Sequence, residues 1–571
     1  MKELAAATKK VKRQSTMRIL LSCLAIVLIF TALELLFPFR IDLTEEKRFS
    51  LHPATIEVLE NLKNPLEVEL LLTGDLPGGM RRFERSIEEM VLTFDDFAAV
   101  PISLHKVDPL SLEEETQAEF VQYIADFGIN PTNLFASENG SQTSRLIFPG
   151  LLVRNEEYET GGLLLKGAGG MSPDEILNLS IENIEYELIR LIQRLEEDQK
   201  PAVAMITNHG EFQEDEGYGV VEALSEFAEV YKVPLQQAKS VQDLMTFDLI
   251  IVSSPREEYE ERELYLLDQY LMRGGRLLVA LDPMAVDMEA AAGEGTVALP
   301  YQSGLENLLF KYGIRINPDL VQDMNYGYYP VVAGEFGDQP QIVPLPWPFY
   351  VIASEMAQHP MVKGLDQLQL RFVSSLDTVK AEGLTRTALV YSGQYSRLLS
   401  PPVPVAFREM SQEPDVNQFN RKHLPLAYLM EGKFTSLFQN RFLPAPFEKD
   451  TAFRDTGDAG AVVVVGDGDW LQGRLDVQTG EPMPLGKDPF SEETYGNREF
   501  LINAVNYLID PDGIMATRNK VLKIRPLDQK EVLEDRTYWQ LFNVVLPILI
   551  VLAFGGIKII IRNYKYSRPR L

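Results

Sequence analysis

The stretch "AGAVVVVGDGDWLQG", residues 459–473, decides how this chain folds. Four valines in a row leave no polar face, so they read as a strand buried on both sides, as in a parallel α/β sheet. The strand runs out into Asp467 and Asp469, spaced by Gly466 and Gly468. In open α/β sheets, ligands bind beyond the carboxyl ends of the strands. Turns also favour Asp and Gly for backbone reasons alone. The pair is therefore either one wall of a ligand cleft or only the polar end of a core strand.

Upstream of this stretch the same rhythm recurs. "PAVAMITNHGEF" (201–212), "FDLIIVSSP" (247–255) and "RLLVALDPM" (276–284) read as strands. "YGVVEALSEFAEVY" and "EERELYLLDQYLMRGG" read as the helices between them, the second stopped by a glycine pair. Strands alternating with helices imply a parallel sheet with right-handed crossovers. The last unit is "GNREFLINAVNYLID", with Leu501, Val505 and Leu508 on one helical face. An α/β domain over 200–515 follows, interrupted at about 291–458 by an insertion of mixed, proline-rich structure. The polar strand ends supply the candidate binding residues: Asn208, His209, Glu211, Ser253, Ser254, Asp282, Asp467 and Asp469. They would suit a small polar or peptide-like ligand.

Residues 40–167 form a different body. "LEVELLL" and "PISLHKVDP" read as strands, "GGMRRFERSIEEMVLTFDDFAA" and "SLEEETQAEFVQYIADFG" as helices, and "SRLIFPGLLVRN" with "TGGLLLKG" as a closing hairpin. The order β-α-β-α-β-β resembles a thioredoxin-like domain, without the CxxC that redox work requires. A helix over 180–199 is expected to link the two bodies.

Two apolar segments flank everything else. Met17–Phe37 and Leu541–Ile561 are each long enough, at about 1.5 Å per residue, to cross a hydrocarbon core of about 30 Å. Lys2, Lys9, Lys10, Lys12, Arg13 and Arg18 crowd the first, and Lys558, Arg562, Lys565, Arg568 and Arg570 follow the second. The chain as a whole carries a net charge of -29, so the acid excess lies between the two. The positive-inside rule then places the basic tails, 1–16 and 562–571, in the cytoplasm. The acidic body would be periplasmic, held at the inner membrane by two transmembrane helices. That charge also argues against a nucleic-acid partner.

Several chemistries lack their residues. Cys23, inside the first apolar segment, is the single cysteine, which leaves no cysteine nucleophile in the body. The five histidines, His52, His105, His209, His359 and His423, stand apart with no metal-ligand spacing. No GxxxxGK[ST] is present, and "LGKD" at 485–488 lacks both the first glycine and the hydroxyl. No cofactor or metal is expected.

Taken together, the motifs resemble GldG, the family of membrane-anchored auxiliary components of ABC transport systems associated with gliding motility. "RFSLHPAT", "SIENIEYELI", "NHGEF", "LLDQYLMRGGRLLVALDPM", "LLFKYGIRINPDLVQD", "HPMVKGL", "VVVVGDGD" and "WQLFNVVLPILIVLAFGG" carry the resemblance across nearly the whole chain. It implies a polytopic permease and a cytoplasmic ATPase as partners. It also implies an α/β domain akin to that of intraflagellar-transport proteins, and through it to glutamine-amidotransferase-like (flavodoxin-like) folds without their catalytic residues. The expectation is a non-enzymatic binding and scaffolding subunit. A hydrolase or amidotransferase working at an Asp467/His209 cleft, and a purely structural spacer, are the alternatives.

Overall fold

The computed structural model describes residues 50–519 and 535–566, apart from 139–140, 168–170, 197–198, 212–215, 337–338, 412–413, 477–478, 489–492 and 511–512. The protein is a mixed α/β chain built on several sheets. The expected apolar span at 17–37 lies outside the described residues.

The valine run sits where its composition requires. It belongs to strand Thr456–Val465, with Leu277–Ala280 parallel on one side and Ala427–Met430 antiparallel on the other. Val463 and Val465 enter the core on one face of this sheet, and Val462 and Val464 enter the core on the opposite face. Each buried valine contributes roughly 1.5–3 kcal/mol relative to exposure. A polar residue at any of the four would lose that term and add a desolvation cost.

The sheet around it has eight strands. In space they run Glu355–Met356, Leu384–Tyr391, Pro425–Thr435, Thr456–Val465, Arg276–Ala280, Leu249–Ser253, Ala202–Thr207, Glu229–Pro234. The last five are mutually parallel. The first three are antiparallel additions. The expected parallel sheet is thus corrected to a mixed one. The expected insertion supplies its three antiparallel strands and, besides them, a small lobe around Trp347, Phe349, Tyr350 and Phe372. Helix Asn497–Ile509 covers one face through Leu501, Val505 and Leu508. Helix Glu261–Met272 covers the other, started by a Glu260/Glu263 capping box and stopped at Gly274, φ +88°.

In the first lobe, Leu66–Leu70 lies between Ile102–Lys106, parallel, and Gly150–Arg154, antiparallel, which turns back into Glu159–Leu163. Leu66, Val68 and Leu70 point into the core, while Glu67 and Glu69 both pair with Arg154 on the other face. Met80, Phe83, Ile87, Val91 and Phe94 give helix Gly78–Phe97 its buried stripe. The expected strand "SRLIFPGLLVRN" is two strands broken at Phe148-Pro149, the first half pairing with Thr132–Glu138 as a separate ribbon. Proline cannot donate to a ladder, so pairing stops there.

The expected linker at 180–199 is a helix from Pro173 to Glu196, and it is not a spacer. Ile184, Leu188, Ile189, Leu191 and Ile192 lie in the first lobe's core, which Ile514 and Met515 complete from beyond the second sheet. A chain segment with so many buried side chains cannot swing freely. The described residues from 50 to 519 accordingly form one unit.

The second unit, 521–571, contains helix Arg536–Tyr566. Its stretch Arg536–Arg562 has a mean hydropathy of 2.7 and is long and apolar enough to cross a membrane. Pro547 lies inside it, as membrane helices tolerate.

Candidate functional site

Among the parallel strands the order reverses between Ala202–Thr207 and Leu249–Ser253, because the strand that follows 202–207 in sequence lies on its far side. That reversal defines the crevice where a ligand would be expected. The chain leaves both strands sharply. Asn208, Gly210 and Ser254 have φ of +80°, +76° and +48°, a region costly for side-chain-bearing residues. At Gly210 a Cβ would also lie 2.7 Å from Arg256 Cβ.

His209 is 1% exposed and fills this crevice. Its ring stacks on Tyr259, 3.8 Å between centroids and 10° between planes. Nε2 lies 3.0 Å from Glu263 Oε2, and Nδ1 lies 3.4 Å from Glu211 Oε1, a charge contact without hydrogen-bond geometry. Glu211 also accepts the Tyr259 hydroxyl at 2.9 Å and the His209 N–H at 2.5 Å. Burial works against the imidazolium, but Glu211 and Glu263 overcome it and raise the His209 pKa. Both ring nitrogens face carboxylates of the same chain. Among the described residues no serine hydroxyl bonds to either ring nitrogen, so no Ser-His relay forms there.

A second cluster sits at the ends of the next two strands. Asp282 accepts the Ser254 hydroxyl at 2.9 Å and the Gly468 N–H at 2.6 Å. Arg256 Nη2 lies 3.3 Å from Asp282 and 3.2 Å from Asp469. Asp467 Oδ2 accepts the Arg371 N–H at 2.6 Å, and the Arg371 guanidinium donates to Asp469 O at 2.9 Å. Gly468 is required for space, because a Cβ there would stand 2.5 Å from Asp282 Oδ2. Burial, reinforced by the charge of Asp469, pushes Asp282 up to about 7 against the pull of Arg256. Burial, with Asp282 and Asp469 adding to it, also raises Asp467 well above the carboxylate range. Asp467 Oδ1 is buried without a partner, as suits a neutral acid.

The structure therefore joins Ser254, Asp282, Asp467 and Asp469 in one cluster and His209 with Glu211 in another. Arg256 connects them, its N–H donating to His209 O at 2.6 Å. Asn208 is exposed, its carbonyl accepting from Gln236 at 3.3 Å. Ser253 is buried with an unpartnered hydroxyl. Arg256, Arg371, Tyr259 and Glu263 are the residues that the sequence reading missed. Glu263 was within reach, since Glu260-x-x-Glu263 is a capping-box spacing. Arg371 was not, because it comes from the inserted region.

That region closes the edge. Ser374 N–H donates to Gly466 O at 2.7 Å, which holds the segment from Gln369 to Ser374 across the strand end. The cleft left between Arg371, Asp469, Trp470, Arg474 and Lys487 encloses about 10 Å³, room for roughly one water. Among the described residues, no three metal-binding side chains converge.

Residues 45–154 match the model of a domain of unknown function (DUF7088). No curated protein matches the chain significantly. Among solved structures it is similar to the mmIFT52 N-terminal domain at 14% identity, covering 55% of this chain and 98% of that one, with a TM-score of 0.31. It is also similar to the exo-beta-1,4-mannosidase Op5Man5 from Opitutaceae bacterium strain TAV5 at 10% identity, covering 80% and 52%, with a TM-score of 0.20. Residues 200–504, more than half the chain, match the model described as ABC-type uncharacterized transport system. The chain belongs to that family of transport-associated accessory proteins, in line with the GldG-like motifs in its sequence.

Proposed function

We propose that this protein is a non-enzymatic, membrane-anchored binding and scaffolding subunit of an ABC transport system of the gliding-motility-associated type. Its body stands outside the cytoplasm, and its partners are a permease and an ATPase. The observation that carries this reading is the closed carboxyl edge of the large sheet. Among the described residues, the titratable groups at the switch point are engaged by the chain itself: His209 by Glu211 and Glu263, Asp282 and Asp469 by Arg256, Asp467 by the Arg371 backbone. A reacting group needs a free face toward substrate, and a ligand at Asn208, His209, Glu211, Ser253, Ser254, Asp282, Asp467 or Asp469 would first have to displace Arg256 or the Gln369–Ser374 segment.

The topology supports the domain readings. The first sheet, ordered 102–106, 66–70, 150–154, 159–163, supports a thioredoxin-like fold. The parallel strands, in order 2-1-3-4-5 among themselves, support a flavodoxin-like one. The apolar helix Arg536–Tyr566 supports the anchor.

The test is affinity purification of the full chain from membranes in a mild detergent. Co-elution of a permease and an ATPase is expected. Recovery of this chain without either, while other transporters from the same membranes stay assembled, overturns the reading.

A further inference from the structure

A cavity of about 60 Å³ lies between helix Pro173–Glu196 and helix Asn497–Ile509 and shares no lining residue with the cleft beside the strand-end clusters. Tyr186, Arg190, Arg194, Phe227, Asn506 and Asp510 are among its walls. Three of these residues hold a buried donor with no acceptor: Arg190 Nε, Arg194 Nη2 and Asn506 Nδ2. Arg518, 8% exposed, adds two more, Nε and Nη1, with its guanidinium 5.3 Å from the centre of the Tyr186 ring. Folded chains rarely leave buried donors unmatched. Five from four neighbouring side chains, all of one polarity, need a common explanation.

The existing partners do not supply it. Arg190 pairs with Glu187 at 2.9 Å, and Arg194 pairs through its other nitrogen with Glu226 at 2.9 Å. Arg518 donates through Nη2 to a carbonyl, Lys363 O, at 2.9 Å. Asp510, the carboxylate among the described lining residues, accepts the Met515 N–H at 2.7 Å. Each water would have to send its own hydrogens to Asp510 or to other waters, whereas an oxyanion accepts from several of these donors at once. The guest that suits is one that only accepts. Arginine forks match phosphate geometry in particular. The volume, about four to six waters at roughly 10–15 Å³ each, holds one such group and little more.

We propose that this cavity binds a phosphate group, held by Arg190, Arg194 and Asn506 with Arg518 behind Tyr186. Because Arg190 and Arg194 stand on the first lobe's helix and Asn506 on the second lobe's, the bound group ties the two lobes together. The site does not depend on the transport reading above.

The test is thermal unfolding of the full chain in detergent, with inorganic phosphate titrated at ionic strength held constant by sodium chloride. A saturable rise in Tm with phosphate is expected, as for any ligand that binds only the folded state. Phosphatidic acid in mixed micelles, against phosphatidylcholine alone, separates the sources: a rise with free phosphate assigns a soluble ligand, and a rise with phosphatidic acid only assigns a lipid headgroup. Arg194→Gln should weaken the response at least tenfold while the unliganded Tm stays close to wild type, since its partner Glu226 is 55% exposed. Asn506→Asp, which places a carboxylate among the arginines, should raise the unliganded Tm and abolish the response. The proposal is overturned if neither phosphate source differs from chloride, if acetate at the same ionic strength matches phosphate, or if both variants respond as wild type does.

Discussion

Asp282 makes the strand-end cluster sensitive to pH. Its pKa rises from an ordinary 3.8 to about 7 because burial and the charge of Asp469 outweigh the help of Arg256, Ser254 and the Gly468 N–H. Between those values the folded protein keeps a proton that the unfolded chain has lost. Stability is therefore greatest below the lower value and falls as pH rises through the upper one. Raised Asp467 acts in the same direction. So does His209, whose contribution is full below 6.5 and lost at higher pH. Urea unfolding across about pH 4 to 8 should show a loss of a few kcal/mol. Asp282→Asn, which cannot ionise, should remove much of the slope below about pH 7. An unchanged slope in that variant would mean that Asp282 is ionised throughout. None of this was visible in "GDGD" itself. The sequence marks Asp467 and Asp469 as a turn, but Asp282 meets Gly468 across 186 residues, and only the fold brings them together.

At the scale of elements, legibility follows how local the physics is. Four valines specify a strand buried on both faces wherever they occur, and Leu501, Val505 and Leu508 specify a helix face by their spacing. The strands Leu384–Tyr391 and Pro425–Thr435 fall in the stretch read as a mixed insertion, and their joining of the main sheet was not legible. An antiparallel neighbour is chosen by register and packing across long separations, and Met430 meeting Val462 leaves no local trace. Likewise a helix over 180–199 was legible as a link, and what it packs against was not. The double-sided strand gives a direct prediction. Val464 and Val463 serve opposite cores at 0% exposure, so Val464→Ala and Val463→Ala should each cost about 2 kcal/mol. Because the sites share one strand, the double variant should depart from additivity. Equal and strictly additive losses would show that the two cores respond independently.

For the whole molecule, helix Pro173–Glu196 changes what kind of object the body is. Lys363 on the second lobe pairs with Glu182 on this helix at 3.0 Å and donates to Arg518 O at 2.7 Å. With Ile514 and Met515 in the first core, the lobes should unfold together. Leu188→Ala, in that core, should cost about 2–5 kcal/mol. It should also lower hydrogen-exchange protection in both Leu66–Leu70 and Arg276–Ala280, whereas loss confined to the first strand would show separable lobes. A rigid acidic body then has to be placed relative to the membrane. On the proposed topology the bases flanking the two apolar segments stay in the cytoplasm, and the acidic body with its large sheet, which carries the acid excess behind the whole chain's net charge of -29, lies on the other side. Phe442 is 99% exposed, so a cysteine there should leave packing intact. In a Cys23→Ser background that residue would be the single thiol. On the proposed topology, an impermeant maleimide added to intact spheroplasts labels Phe442→Cys as fully as it does after lysis. Labelling that appears only after lysis would put the body in the cytoplasm and remove the basis for an external scaffold.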